Sequence, residues 1–66
     1  MSVAKVIEIS AASGESFEDA IRVGLAKAGE SVRNIQGAWV KEQKVRVQDG
    51  RVAEFRVDLA VTFVLD

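Results

Sequence analysis

The segment AEFRVDLAVTFVL, residues Ala53–Leu65, decides the fold. All of its odd-numbered positions are apolar, and most of the positions between them are polar or charged: Glu54, Arg56, Asp58 and Thr62. Alternation with a period of two is typical of a strand that buries one face and exposes the other. The segment therefore predicts a strand of about 43 Å at ~3.3 Å per residue, which is too long for one small subunit to cover.

The residues before this strand predict its hairpin partner, with the turn in Gln48–Gly50. Loops of two and of three residues compete. A three-residue loop with Gly50 in the left-handed conformation places Glu42 opposite Arg56 and Lys44 opposite Glu54. The two-residue loop instead places Lys44 opposite Phe55 and Glu42 opposite Val57, which would put both charges on the apolar face. The charges therefore favour the three-residue loop.

The N-terminal half predicts one strand and one helix. Val3–Ser10 is a mostly apolar, β-branched run and predicts the strand. After the loop AASGES, Ser16 is the expected N-cap, because Asp19 follows three residues later and places an acid at the positive end of the helix. We expect the helix to end near Asn34.

The predicted helix has one apolar stripe with spacings of three and four, which predicts packing against a sheet. The stripe comprises Phe17, Ala20, Ile21, Leu25, Ala28 and Val32. Gly24 and Gly29 each weaken a helix by roughly 1 kcal/mol relative to alanine, a cost that is usually tolerated where a neighbour packs closely.

Composition predicts one small oligomeric domain over residues 1–66. A chain of this length has little core, and it has no cysteine or histidine for disulfides or zinc, so association between copies is the remaining source of stability. The net charge of −1 argues against a nucleic-acid partner. We find no membrane span or secretory signal, and therefore expect a cytoplasmic protein.

The reactive side chains argue against an enzyme. A hydrolytic triad cannot be assembled without histidine or cysteine, and Glu42, Glu54 and Asp58 all have cations nearby in the predicted hairpin. No phosphate-binding loop and no dense run of oxygen ligands with a fixed spacing is present, so no metal ligands are assigned.

Trp39 is the only tryptophan, and its role is open between two alternatives. In the favoured hairpin register it lies beside Leu59 on the apolar face, where it would be a core or interface residue. Alternatively it forms the wall of a ligand site. The small Gly37 and Ala38 leave space beside the indole, and Gln43 and Arg56 provide hydrogen-bond donors for a flat heteroaromatic ligand. The residues alone do not decide between these two roles.

The order of strand, helix and long hairpin, with the motifs VIEIS, SFEDAI and VTFVLD, resembles the dodecin family over essentially the whole chain. The resemblance implies an α+β fold of order βαββ, in which a curved three-stranded antiparallel sheet wraps around one helix. It also implies a hollow homododecamer. Most members bind flavins in antiparallel pairs between stacked tryptophans at two-fold axes, and they are storage proteins, not enzymes.

Two positions differ from the flavin-binding members. Gly37 occupies the position of the stacking tryptophan, and Arg56 that of the glutamine that holds the flavin ring. Trp39 follows two residues later, on the same face of an extended strand, and is expected to replace that tryptophan. The resemblance thus predicts a riboflavin or FMN site that comprises Trp39, Arg56, Gln43, Glu42 and Gly37. The alternative is a shell without flavin that is structural or binds a small ion such as calcium; other members carry coenzyme A.

Overall fold

The computed structural model of the protein describes residues 3–65. Its elements are β1 (Ala4–Ser13), α1 (Phe17–Gly29), β2 (Ile35–Gln48) and β3 (Arg51–Val64). The predicted βαββ order is confirmed. The strands form one antiparallel sheet in the order β1-β3-β2, so the segment that decides the fold is its central strand.

The core lies between α1 and one face of the sheet. Val57, Leu59 and Val61 of β3 are buried against Ala20 of α1, which confirms the face predicted from the alternation in β3. Partly buried apolar residues surround this cluster: Ile7, Ile9, Ala11, Phe17, Ile21, Leu25 and Ile35. We call this side of the sheet the helix face and the opposite side the outer face.

The start of α1 is as predicted. The Ser16 side chain accepts a hydrogen bond from the Asp19 backbone N–H at 2.9 Å, which satisfies one of the unpaired donors of the first turn. Ser13 adds a second layer, because its hydroxyl donates to Asp19 Oδ2 at 2.7 Å and accepts from the Glu15 backbone N–H at 2.9 Å. These bonds fix the connection between β1 and α1.

Two predicted boundaries are wrong. β1 continues to Ser13 because its last residues still pair with β3, where Ser13 lies opposite Phe55. The helix ends at Gly29 and not near Asn34. Asn34 has a φ of 62°, in the left-handed region, and its carbonyl accepts from the Val64 backbone N–H at 3.1 Å, so the chain has already joined the sheet there.

The two helical glycines have different surroundings. A Cβ at Gly24 would lie 2.9 Å from the Ala11 Cβ, so only glycine lets α1 approach β1 this closely. A Cβ at Gly29 would meet nothing within 4 Å. The predicted close packing is therefore confirmed at Gly24 and is not found at Gly29 within one subunit.

The hairpin turn has two residues, so the predicted three-residue loop is wrong. Asp49 and Gly50 have φ values of 54° and 74°, and Gln48 pairs with Arg51 across them. Two successive positive φ angles are typical of a type I′ turn, whose twist matches that of the flanking strands, and an Asp-Gly pair favours it.

Three irregularities in the β2–β3 ladder explain why the charge argument failed. The register shifts between Arg46 and Val47, between Val40 and Glu42, and between Ile35 and Gly37. Each shift is typical of a β-bulge, in which one strand has an extra residue. The charges would select the loop length only in an uninterrupted ladder, which this hairpin does not have.

The shifted register places like charges opposite each other. Glu42 pairs with Asp58 and Lys44 with Arg56, in place of the predicted opposite charges. Two ion pairs run along the strands, from Lys44 Nζ to Glu42 Oε1 at 3.6 Å and from Arg56 Nε to Glu54 Oε1 at 2.7 Å. A third crosses the ladder, from Arg46 Nε to Glu54 Oε1 at 3.9 Å. Residues two apart share a face of a strand, so Lys44 offsets the charge of Glu42, and Glu54 that of Arg56.

The far end of the hairpin extends beyond the helix. The Phe17 and Phe55 rings pack edge to face with centroids 5.1 Å apart, and residues 45–54, which we call the hairpin arm, lie beyond this contact. The molecule is 51 Å long with a radius of gyration of 13.5 Å, whereas a compact chain of this size has about 11 Å. The predicted excess length is confirmed.

Candidate ligand-binding face

Trp39 lies on the outer face of the sheet. It pairs with Ala60, which in turn pairs with Glu8 on the other side, and directly opposed residues of a sheet share a face. Ala60 lies between Leu59 and Val61 in the sequence, and these two side chains pack in the core. Trp39 is consequently 53% exposed, which is contrary to the expected position beside Leu59 in a core under the helix.

The bulge at Lys41 is the reason for this reversal. Val45 lies opposite Phe55 on the helix face, and counting back from it by twos would place Trp39 on that face as well. The extra residue at Lys41 shifts the count by one, so that Val40, opposite Leu59, is on the helix face. Sequence periodicity alone cannot locate a bulge in this strand.

An ion pair crosses the sheet beside Trp39. Lys41 Nζ lies 3.0 Å from Glu8 Oε2, and these two residues belong to the strands on either side of β3. Ala60, on the central strand, is only 1% exposed although no helix covers its face. In the register of the sheet, Ala60 has Trp39 opposite it on one side and Glu8 on the other. We call Trp39, Ala60, Lys41 and Glu8 the tryptophan platform.

Of the other predicted site residues, three share the outer face with Trp39. Gly37 lies opposite Thr62, Glu42 opposite Asp58, and Arg56 opposite Lys44. A Cβ at Gly37 would meet nothing within 4 Å, so there is open space beside the indole on the side away from the hairpin arm. Gln43 is different: it pairs with Val57, a core residue, and therefore lies on the helix face. One subunit does not bring Gln43 together with Trp39.

Two of the predicted polar site residues on this face already have partners. Arg56 uses its Nε to donate to Glu54, and Glu42 is paired with Lys44. Glu42 and Asp58 are directly opposed carboxylates. Within residues 3–65, no group of three or more histidine, cysteine, aspartate or glutamate side chains is arranged to hold a metal ion.

Sequence reasoning missed three members of the platform. Glu8 had a visible signal, because it is a single charge between Ile7 and Ile9 and alternation alone assigns it to the outer face. Lys41 and Ala60 had none, since their positions beside Trp39 depend on the bulge.

In the described part of the chain, no helix is long and apolar enough to cross a membrane.

Comparison with known proteins gives one consistent family. The sequence matches the family model described as Dodecin over residues 3–66. Among solved structures, dodecin from Streptomyces davaonensis has a TM-score of 0.94 and 31% identity, covering 98% of this chain and 96% of that one. An arginine-to-alanine mutant of the Thermus thermophilus dodecin has a TM-score of 0.95 and 33% identity, covering 100% and 97%.

A third solved structure is described as the calcium-chelating immunodominant antigen, calcium dodecin, of Mycobacterium tuberculosis, with a novel calcium-binding site. It has a TM-score of 0.84 and 34% identity, and the match covers 97% of this chain and 91% of that one. No curated protein matches the sequence.

Proposed function

This chain belongs to the dodecin family, and from that premise we propose that it is a cytoplasmic flavin-binding storage protein, a single domain over residues 1–66 that assembles as a homododecamer. Dodecins are small binding or storage proteins and are not known as enzymes. They are generally dodecameric, and members commonly bind flavins. The observation that carries the proposal is Trp39, which lies on the outer face of the sheet and is 53% exposed.

The exposed indole supports the proposal because it is an unused stacking surface. A tryptophan side chain buries roughly 150–250 Å² when it packs. An indole that is half exposed in the subunit therefore favours a partner with a flat apolar surface. The isoalloxazine ring of riboflavin or FMN is such a surface. Gly37 leaves room for it on the same face.

The neighbouring polar groups suit the edges of a flavin. The hydrogen bond from Arg56 to Glu54 uses only Nε, so the other N–H groups of the guanidinium can donate to a ring carbonyl. Glu42 can accept from ribityl hydroxyls. Gln43 is not part of this set in one subunit, because it lies on the helix face.

Titration of riboflavin with the protein tests the proposal. Stacking against Trp39 should quench flavin fluorescence at micromolar protein. In a Trp39→Leu variant, the affinity should fall roughly 5- to 150-fold, since stacking on an aromatic side chain is worth about 1–3 kcal/mol. Val6→Ala is the matched control, because Val6 is also an exposed apolar residue of the outer face, opposite Thr62. An absence of quenching in the unmodified protein would refute flavin binding.

A second candidate function is a shell that binds calcium and no flavin. The directly opposed Glu42 and Asp58 favour it, as does the similarity to the mycobacterial calcium dodecin. Calcium takes about 6–8 oxygen ligands, so neighbouring subunits would have to supply the others. This function predicts that calcium raises the melting temperature, that Glu42→Gln abolishes the increase, and that riboflavin fluorescence is unchanged by the protein.

A further inference from the structure

The residues proposed above for flavin leave one group of the ring without a partner. The pyrimidine edge of an isoalloxazine ring carries the N3–H between two carbonyl oxygens, so it needs an acceptor with donors beside it. Arg56 can only donate, and Glu42 accepts from the ribityl hydroxyls. A ring N–H that leaves water without gaining an acceptor weakens binding, because an unsatisfied donor is costly.

The Lys41–Glu8 pair of the tryptophan platform offers both kinds of group beside the indole. Lys41 Nζ and Glu8 Oε2 are 3.0 Å apart, so a donor and an acceptor lie side by side. Lys41 donates to Oε2, which leaves Oε1 of Glu8 as an acceptor. The ammonium group has three N–H donors, and the bond to Glu8 uses one of them.

The register of the sheet places Glu8 in the same row as Trp39. Trp39, Ala60 and Glu8 are successive partners across β2, β3 and β1. At ~4.8 Å between neighbouring strands, the backbones of Trp39 and Glu8 are about 10 Å apart. Ala60 between them has no side-chain atom beyond Cβ, so a flat ring that stacks on the indole and extends toward β1 brings its edge to Glu8. The acids Glu42 and Asp58 form the next row, toward the hairpin arm.

Both members of the pair are free to turn toward a ligand. The side chains of Lys41 and Glu8 are 43% and 64% exposed. An exposed ion pair contributes little to stability, so rearranging it costs little. Hydrogen bonds in which one partner is charged are shorter and stronger than neutral ones, so the exchange favours the ligand.

We infer that the Lys41–Glu8 pair recognises the pyrimidine edge of the flavin, an inference that rests on the proposed flavin-binding function. Glu8 accepts a hydrogen bond from the ring N3–H, and Lys41 donates to an adjacent carbonyl oxygen. The pair thereby selects heteroaromatic ligands whose edge carries an N–H next to a carbonyl group. It discriminates against flavins that are alkylated at N3.

Riboflavin and N3-methylriboflavin test this contact, because the methyl group removes the N–H and leaves the fused rings and the ribityl chain in place. Each is titrated by quenching of flavin fluorescence with the unmodified protein, Glu8→Ala and Glu8→Gln. Glu18→Ala is the matched control, since Glu18 is also an exposed glutamate in an ion pair, with Arg22 on α1. The ratio of the two dissociation constants is compared within each protein, so a general loss of affinity cancels.

N3-methylation should weaken binding roughly 10- to 150-fold in the unmodified protein and in Glu18→Ala, as expected for the loss of a hydrogen bond to a charged group. Glu8→Ala should weaken riboflavin binding and bring the ratio close to one, whereas Glu8→Gln should keep part of the discrimination because an amide oxygen also accepts. Equal affinities for the two flavins in the unmodified protein, or an unchanged ratio in Glu8→Ala, would overturn the inference and leave flavin binding intact. Quenching of neither flavin by the unmodified protein would overturn the proposed function, and the inference with it.

Discussion

Replacing Gly24 by alanine tests the packing of α1 on β1. The new Cβ would lie 2.9 Å from the Ala11 Cβ and 3.6 Å from both Ile9 Cδ1 and Leu59 Cδ1. The Ala11 Cβ is bonded directly to the backbone, so it cannot rotate away and the helix or strand must shift. Overpacking of this kind costs about 1–3 kcal/mol. The higher helix propensity of alanine returns about 1 kcal/mol, which leaves a net loss of up to about 2 kcal/mol.

Gly29→Ala is the matched control for this substitution. It makes the same chemical change in the same helix, where nothing lies within 4 Å of the new Cβ. We expect it to stabilise the protein by about 0.4–1 kcal/mol, because alanine restricts the unfolded chain. The two substitutions should thus shift the free energy of unfolding in opposite directions.

Urea unfolding at one fixed subunit concentration measures both changes, since the stability of an oligomer depends on concentration. Ala11→Gly removes the atom that Gly24→Ala would meet. The double variant should therefore show a favourable coupling energy, within the range of about 0.5–3 kcal/mol that contacting residues give. If Gly24→Ala stabilises the protein as much as Gly29→Ala does, or if the coupling energy is zero, the close approach of α1 to β1 is not the constraint described above.

Four further substitutions test local features. Ser16→Ala removes the N-cap bond to Asp19 and should lower the free energy of unfolding by about 1 kcal/mol; an unchanged value would show that Ser13 caps the helix unaided. Asp49→Asn should preserve or raise the melting temperature, because Asn-Gly also favours a type I′ turn. Gly50→Ala should lower the free energy of unfolding by about 1–2 kcal/mol, because alanine is strained at a φ of 74°. Equal melting temperatures for the Asp49→Asn and Gly50→Ala variants would contradict the assigned turn. Lys41→Met removes an exposed ion pair worth less than about 1 kcal/mol, so the free energy of unfolding should change little. The affinity for riboflavin should change if the tryptophan platform binds the flavin ring. Unaltered affinity would exclude Lys41 from the site.

The sequence predicted the features that depend on local pattern. The alternation in β3 identified the central strand and its buried residues, and the spacing of Ser16 and Asp19 identified the helix start. The tight contact at Gly24 followed from a glycine in an apolar helical stripe. Each of these signals arises from residues close together in the chain, where backbone geometry fixes which side chains are neighbours.

The candidate site depended on features that local pattern does not contain. Trp39 was placed on the wrong face because a bulge at Lys41 reverses the alternation, and no residue type there marks the bulge. The same register error separated Gln43 from the other predicted site residues. The Lys41–Glu8 pair joins residues 33 positions apart, so it became visible only once the strand order was known.

Sedimentation of a dilute sample, with and without riboflavin, tests whether the subunits exist as an assembled shell that holds flavin. Subunits with this little core and a projecting hairpin arm are expected to be stable only in a shell. The protein should then sediment as twelve copies of the 7.1 kDa chain, about 85 kDa, and the flavin absorbance should sediment with it. A folded particle of 7.1 kDa that leaves the flavin behind would contradict both the assembly and the binding function.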